Sequence, residues 1–430
     1  MELLAIAVVA AAFILYALVS GRLEGTILTA PLLFAAFGFL IGPGGFGIAD
    51  AGRGHAFLHL VAELTLVLVL FADAARIDLK TVRVDHNLPL RMLIVGLPLA
   101  IGLGTFAAVV LFPPFSIWEA ALLAALLAPT DAALGQAVVS ARAVPMRIRQ
   151  AINIESGLND GIALPAVLMF AALAGAGAAH GLGSGAGESA DWLQFALLQV
   201  TLGPVVGIVI GYAGARLIDN AATSGAASKP FQGIAILALA GLCYVASELV
   251  GGNGFIAAFV GGMVFGNTIR HPCDFLFEFM ETEGQLLMLI TFLVFGLALL
   301  PEGLHGLEPV HVLYAVLSLT VIRMVPIAVS LIGTGVRAPT YLFLGWFGPR
   351  GLASILFVLL ILEEAEILHE SAILSVTVIT VALSTVLHGI SAAPLAAAYG
   401  RMVERMDKCE ERKPVADVPL REGLVRREDS

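Results

Sequence analysis

The stretch LLAPTDAALG at residues 126–135 places a proline, a threonine and an aspartate inside a long apolar segment. Pro129 has no backbone N–H, so a helix running through it loses the hydrogen bond to the carbonyl four residues earlier. Thr130 and Asp131 follow that point directly. Whether this is a simple kink or a break at membrane depth depends on the composition of the rest of the chain.

The composition indicates an integral membrane protein. Of the 430 residues, 59% are hydrophobic and only 13% are charged, and the mean hydropathy is +0.95. Soluble domains carry about 25% charged residues, and no soluble core could absorb this much apolar surface. The three cysteines are far apart and show no metal-ligand spacing, so we expect free thiols. The apolar N-terminus lacks a basic region, which favours an uncleaved first helix over a signal peptide.

A membrane-spanning helix needs about 20 mostly apolar residues, and we predict an all-α polytopic protein with about thirteen such helices. The candidates lie near 2–20, 24–42, 56–73, 89–112, 117–140, 149–175, 191–218, 231–250, 253–270, 284–300, 309–333, 340–362 and 370–398. All Lys and Arg except Arg53, Arg323 and Arg350 fall in the gaps after odd-numbered helices or in the tail. By the positive-inside rule, the N-terminus is expected outside and the C-terminus in the cytoplasm. We therefore expect a transmembrane domain over 1–400 and a short charged cytoplasmic tail over 401–430.

A second interruption is predicted in the twelfth candidate helix. The stretch GWFGPRGLAS at 345–354 surrounds Arg350 with three glycines and a proline. The two interrupted helices, the fifth and the twelfth, occupy matching positions if residues 1–175 and 231–398 form inverted six-helix repeats joined by a linker helix near 191–218. Interrupted helices at matching positions of two repeats are typical of transporter binding sites, although either proline alone would indicate only a kink.

Charged side chains within the predicted helices point to the same region. Ionisable groups inside a membrane are costly and usually functional. The acids well inside helices exceed the bases by two, and such an excess needs protons or cations to neutralise it. A structural ion-pair network is the alternative. The acids are Glu63, Asp131, Glu155 and Asp160, with Asp73 and Glu248 nearer helix ends, and the bases are Arg323 and Arg350.

The stretch ESGLNDGIALP at 155–165 concentrates these groups on one predicted helix. Residues four apart share a helix face, so Ser156 stacks with Asp160 and Glu155 with Asn159. Ser156 and Asp160 offer oxygen ligands suited to an alkali cation. Glu155 needs a partner, for which Arg350 is the obvious candidate. Arg323 is then left for a second acid or for the carbonyls of a broken helix. Asn159 could also be a plain packing amide.

The motifs, taken together, resemble those of sodium/proton antiporters of the cation:proton antiporter-1 family, in its prokaryotic NhaP-like branch. The resemblance covers nearly the whole chain, and the Asn–Asp pair with its upstream glutamate is its most specific part. The resembling motifs are PTDAA at 129–133, ESGLNDG at 155–161, GNGFIAAFVGG at 252–262, Arg323, and GPRG at 348–351.

The resemblance implies an NhaA-like fold in a homodimer, with a dimerisation domain and a mobile core that shifts like an elevator. Asp160 would alternately carry a proton and a cation, held with Thr130 and Ser156 as further cation ligands. Asp131 and Asn159 would complete the site. Glu155 matches the family glutamate that pairs with the arginine matched by Arg350.

The chain departs from the family pattern in two places. Ala132 follows the Thr–Asp pair where the family usually has proline, and the proline comes one residue before Thr130 instead. At the end of the third helix, Ala72 takes the position of an acid, and Asp73 comes one residue later. If Asp73 substitutes for that acid, it reaches the cation site.

The expected activity is exchange of a monovalent cation, Na⁺ before Li⁺ or K⁺, for protons at the plasma membrane. An Asn–Asp pair goes with electroneutral one-to-one exchange in this family. No enzyme activity, resident cofactor or nucleic-acid partner is expected. The alternatives are a sodium-coupled solute symporter of similar architecture and a passive cation channel. An intramembrane aspartyl protease is disfavoured because its Tyr-Asp and Gly-x-Gly-Asp motifs do not occur.

Overall fold

A computed structural model describes residues 2–413 apart from 24–25, 50–54, 78, 80–86, 132–133, 181–185, 271–273, 365–366 and 407–408. Within these residues every regular element is helical. Eight of the helices are long and apolar enough to cross a membrane, and four shorter apolar helices accompany them. The prediction of an all-α polytopic membrane protein is confirmed for this part of the chain.

The helices follow one another along the chain with short connections. They are α1 Glu2–Leu23, α2 Ala30–Ile41, α3 His55–Ala75, α4 Asn87–Arg91, α5 Leu97–Leu111, α6 Ile117–Leu126, α7 Gln136–Val139, α8 Met146–His180, α9 Ala186–Thr223, α10 Lys229–Leu249, α11 Gly254–Thr268, α12 Asp274–Val294, α13 Leu300–Leu304, α14 Pro309–Leu319, α15 Val321–Ser330, α16 Ala338–Trp346, α17 Leu352–Glu364 and α18 Glu370–Glu404. A π-helical turn at Met92–Gly96 joins α4 to α5, and another at Phe295–Leu299 joins α12 to α13.

Both predicted interruptions are present. The segment expected as one helix over 117–140 consists of α6 and the short α7, separated by non-helical residues around Pro129. The segment expected over 340–362 consists of α16 and α17, separated by residues 347–351. The local chemistry of Pro and Gly therefore located both breaks correctly.

The structure contains irregularities that the apolar pattern did not predict. The segment expected as one helix over 309–333 is divided at Thr320, whose φ of −115° and ψ of −93° are non-helical. Both π-helical turns end two residues before a proline, Pro98 and Pro301 respectively. A proline in a helix clashes with the carbonyl four residues earlier, and a widened turn relieves that crowding.

The chain divides into two compact units. The first consists of residues 1–62, 87–182 and 288–414, and it carries both interrupted segments and α8. At one end of this unit, a 3₁₀ turn at Glu410–Arg412 packs onto the helices. There the buried Glu411 accepts hydrogen bonds from Arg337 N (2.7 Å) and Thr340 Oγ1 (2.8 Å), and Arg147 Nη1 donates to the backbone carbonyl of Glu410 (2.7 Å).

The second unit consists of residues 63–86, 183–287 and 415–430. In it, α9 and α11 approach closely because small residues meet: a Cβ added at Gly207 would lie 2.5 Å from the Ala257 carbonyl oxygen. Small residues spaced by four are the usual basis of close helix packing in membranes. The GNGFIAAFVGG motif thus forms the start of α11. Its Asn253 caps α11 by accepting from Ile256 N, and Glu248 accepts from Gly254 N.

Candidate functional site

At the first break, four backbone carbonyls accept hydrogen bonds from side chains outside helix α6, namely those of Leu126, Ala128, Pro129 and Thr130. Ser354 Oγ donates to the Leu126 carbonyl at 2.7 Å. Arg350 Nη1 donates to the carbonyls of Ala128 (2.8 Å) and Pro129 (3.1 Å). Unsatisfied backbone groups at membrane depth cost several kcal/mol each, so these donors hold the broken segment in place.

Backbone groups at the second break are hydrogen-bonded in turn by Asp131 of the first break. Asp131 N donates to the Pro349 carbonyl at 2.8 Å. Asp131 Oδ2 accepts from Leu352 N at 2.8 Å and so caps the N-terminus of α17, which favours negative charge. Gly351 is required here because a Cβ would collide with the Asp131 carboxylate. The two breaks therefore exchange charged side chains: Arg350 serves the first and Asp131 the second.

Helix α8 contributes the polar side chains that meet the first break. Ser156 Oγ donates to the Thr130 carbonyl at 2.6 Å, and Asn159 Nδ2 lies 2.5 Å from Thr130 Oγ1. Thr130 Oγ1 also lies 3.3 Å from Ser156 Oγ and 3.4 Å from Glu155 Oε2. Thr130, Ser156, Asn159 and Glu155 are all buried. Three of the predicted site residues, Thr130, Ser156 and Asn159, thus form one contiguous cluster.

The prediction that Glu155 pairs with Arg350 is wrong. Arg323 Nη1 lies 2.7 Å from Glu155 Oε1, and Arg323 Nη2 lies 2.9 Å from Glu155 Oε2. The pair is bidentate, and the two side chains are only 2% and 1% exposed. Gly348 makes room for the guanidinium, since a Cβ there would meet Arg323 Nε. The two arginines therefore exchange the roles expected of them, and it is Arg350 that serves the carbonyls of the broken helix.

The remaining predicted site residues lie in different places. Asp160 follows Asn159 on α8 and is partly exposed, one helical turn beyond Ser156. Asp73 and Glu63 lie on α3 in the second unit and are also partly exposed. Ala132, which departs from the family pattern, lies outside the described residues.

The oxygen atoms beside Thr130 are suitable ligands for a monovalent cation as substrate. They are neutral hydroxyl, amide and carbonyl oxygens, and Asp160 lies on α8, the helix that also carries Ser156 and Asn159. Asn159 Oδ1 is fully buried and has no hydrogen-bond donor among the described residues. A buried acceptor oxygen without a donor is costly, and a cation bound next to it would remove that cost.

Sequence reasoning did not identify Ser354, Ser384 or His388. All three are at most 1% exposed, and they satisfy backbone groups at or beside the breaks. The signal that could have found them is a polar side chain in a strongly apolar helix, in particular Ser384 and His388 at a spacing of four on α18.

Comparison with known proteins gives a consistent family. The family described as "Sodium/hydrogen exchanger, transmembrane" matches residues 8–398. The structure resembles that of the sodium proton antiporter MjNhaP1 from Methanocaldococcus jannaschii at pH 8, with a TM-score of 0.75 and 19% identity over 94% of this chain and 100% of that one. At this identity the likeness supports the antiporter fold.

The similar sequences include the K⁺/H⁺ antiporter NhaP of Alkalimonas amylolytica, 26% identical over 88% of this chain and 63% of that protein. The K⁺/H⁺ antiporter NhaP2 of Shewanella sp. (strain MR-4) is 27% identical over 81% of this chain and 58% of that protein. The Na⁺/H⁺ antiporter 2 of Zygosaccharomyces rouxii is 26% identical over 54% and 29%. The chain thus spans about three fifths of the length of the first two relatives. Because the family match extends over most of its length, the chain belongs to the sodium/hydrogen exchanger family.

Proposed function

We propose that this protein is a secondary active antiporter that exchanges a monovalent cation for protons, with Asp160 carrying the proton and the cation in turn. The observation that carries the proposal is the cluster of buried oxygens at Thr130, where the breaks of two interrupted helices are in contact beside the helix that bears Asp160. The family membership and the names of the relatives support it.

The proposed exchange follows because the Asp160 carboxylate can bind either a proton or a cation, but not both at once. A bare charge is too costly to carry through a membrane, so Asp160 crosses only as a neutral acid or with a bound cation. The neighbouring Asn159 is neutral, which makes one proton per monovalent cation the proposed stoichiometry and the exchange electroneutral. The Glu155 carboxylate is paired with the Arg323 guanidinium, so Asp160 is the carrier carboxylate of this proposal.

The proposed cation is Na⁺, with K⁺ as its main competitor because two of the relatives are named as K⁺/H⁺ antiporters. The proposed architecture is thirteen spans in two inverted repeats, with both breaks on a mobile core that works as an elevator in a homodimer. The distribution of Lys and Arg supports an outside N-terminus and a cytoplasmic C-terminus. A plasma-membrane location follows from this role.

The test is proton flux in proteoliposomes under an imposed pH gradient. Na⁺, Li⁺, K⁺ or choline is added in turn, and a pH-sensitive dye reports dissipation with the voltage clamped at zero. We expect dissipation by alkali cations and none by choline. Asp160→Asn should abolish it in a protein that still elutes as one species. Glu248→Gln is the matched control, since it removes a carboxylate charge elsewhere but keeps the oxygen that accepts from Gly254 N.

Three results would overturn the proposal. Retained exchange in Asp160→Asn would remove the carrier role from that residue. Cation flux without proton movement would favour a channel, and proton-independent uptake of an organic solute with Na⁺ would favour a symporter.

A further inference from the structure

His388 is a buried histidine on α18 with both ring nitrogens engaged. The residue is 1% exposed. Its Nε2 lies 2.9 Å from the carbonyl oxygen of Trp346, and its Nδ1 lies 3.1 Å from Ser384 Oγ and 2.9 Å from the backbone carbonyl oxygen of Ser384. The Trp346 indole also packs against the imidazole, with the ring centroids 5.0 Å apart and the ring planes tilted by 32°. Trp346 is the last residue of α16, so His388 holds the end of that helix where the second break begins.

Ser384 extends this contact to the other side of the break. Its Oγ accepts the backbone N–H of Arg350 at 2.7 Å. Because the hydroxyl accepts there, its own hydrogen is available to His388 Nδ1, and His388 Nε2–H then donates to the Trp346 carbonyl. A neutral imidazole thus satisfies the contacts to the Trp346 carbonyl and the Ser384 hydroxyl. The Ser384 carbonyl beside Nδ1 lies within α18, where the helical backbone pairs it with the N–H four residues later. His388 and Ser384 together bridge the second break, from the Trp346 carbonyl at the end of α16 to the backbone N–H of Arg350.

The bridge leads to the oxygens of the proposed cation site. Arg350, whose backbone is fixed by Ser384, donates from Nη1 to the carbonyls of Ala128 and Pro129. The next residue is Thr130, whose hydroxyl meets Asn159. A displacement of the second break would therefore move the backbone from which Thr130 presents its oxygens.

We propose that His388 is a positioning residue for cation binding: as a neutral imidazole it fixes the width of the second break and, through Ser384 and Arg350, the location of the oxygens at Thr130. The inference rests on the proposed antiport function. The charged groups that act on His388 are Arg350 and Arg323. A further positive charge beside two buried guanidinium groups would be costly, so His388 holds position and does not carry the transported proton.

The test compares three substitutions in the full-length protein in proteoliposomes. His388→Ala removes the bridge. His388→Gln keeps it, because a glutamine amide can donate to the Trp346 carbonyl and accept from Ser384. Thr385→Val is the matched control: Thr385 neighbours Ser384 on α18, is equally buried at 2% exposed, and bonds to its own helix at the Val381 carbonyl.

The expected result is an effect on the KM for the cation and not on turnover. His388→Ala should raise the KM for the cation about 10-fold, the lower end of the range for residues that orient metal ligands. His388→Gln should restore it to within about 3-fold with an unchanged pH profile, and Thr385→Val should behave as wild type. Cation binding should also raise the Tm of the detergent-solubilised protein, and in His388→Ala this rise should need a cation concentration higher by the same factor. The Tm measurement reports binding directly and does not depend on proton transport.

Ser384→Ala provides a second route if His388→Ala does not fold, since it breaks the bridge without removing the ring, and it should raise the KM similarly. Wild-type KM in both alanine variants would overturn the inference. A His388→Gln variant with normal KM but a displaced pH profile would also overturn it, because the imidazole would then be titrating. If wild-type protein shows no cation-dependent proton flux, the proposed function itself fails; if it does and the alanine variants match it, only the positioning role fails.

Discussion

Removing the charge of Arg323 should destabilise the protein strongly, and removing Glu155 at the same time should recover much of the loss. The guanidinium makes two short contacts with the carboxylate, at 2.7 and 2.9 Å, and neither side chain is more than 2% exposed. Breaking a buried pair by removing one partner costs about 3–5 kcal/mol, because the other charge remains buried and uncompensated. That cost lowers the folding equilibrium by about two to three and a half orders of magnitude.

The measurement is a double-mutant cycle on detergent-solubilised protein. Arg323→Met and Glu155→Gln are made singly and together, and unfolding by SDS gives the free energies. We expect a coupling energy of at least about 2 kcal/mol, since contacting residues commonly show 0.5–3 kcal/mol. Arg142→Met is the control for the arginine-to-methionine change, because Arg142 is exposed.

A parallel cycle of Glu155→Gln with Arg350→Met separates the observed pairing from the one expected at first. Arg350 donates to backbone carbonyls and, in the part of the chain that the structure describes, makes no hydrogen bond to Glu155, so its coupling to Glu155 should be the smaller. Larger coupling to Arg350 than to Arg323 would refute the assignment, as would additive effects in the Arg323 cycle.

Substitutions at three further positions test the connections described above. Asp131→Ala should cost about 1–2 kcal/mol in SDS unfolding by removing the cap on Leu352 N, while Asp131→Asn, which keeps an acceptor, should cost less; equal costs would contradict the capping role. Gly351→Ala should destabilise by about 1–3 kcal/mol through overpacking against the Asp131 carboxylate, and an unchanged Tm would show that the contact is not tight. Burial alone would raise the pKa of Glu411, but hydrogen bonds, led by that from Arg337 N, outweigh it and lower the pKa below its ordinary value of 4.5. The stabilisation is therefore present above pH 4.5 and is lost as the pH falls through the lowered pKa, so Glu411→Gln should lower Tm at pH 6–7 and flatten its decline below pH 4.5; parallel Tm curves for the two proteins would contradict this.

The breaks could be predicted from sequence because their causes are local. Pro129 and the glycines around Arg350 disrupt a helix whatever surrounds them. The contact of Ser156 and Asn159 with Thr130 could also be predicted. The helix period places these polar residues on neighbouring faces, and the backbone groups of an interrupted helix need polar partners. The division at Thr320 was less accessible, because threonine occurs in many uninterrupted membrane helices.

The partner of Glu155 was not predictable in the same way. Arg323 and Arg350 lie at similar depths in their predicted helices, and both are long enough to reach a neighbouring acid. The choice depends on where α15 sits relative to α8 and on the space left by Gly348, which only packing decides. For the same reason the sequence did not indicate the partners of Ser384 and His388, because the backbone groups that they contact belong to another segment.

The exchange of Arg350 and Asp131 between the two breaks has a consequence for how the protein is made. Ala128 and Arg350 are 222 residues apart in sequence, and a ribosome adding about 5–20 residues per second takes roughly 10–45 s to cover that distance. During that interval α6 and its broken segment are already synthesised, but the donor for their carbonyls does not yet exist. The first half of the chain therefore cannot complete the hydrogen bonding of its broken helix alone, and that packing is completed only after the second half has been translated.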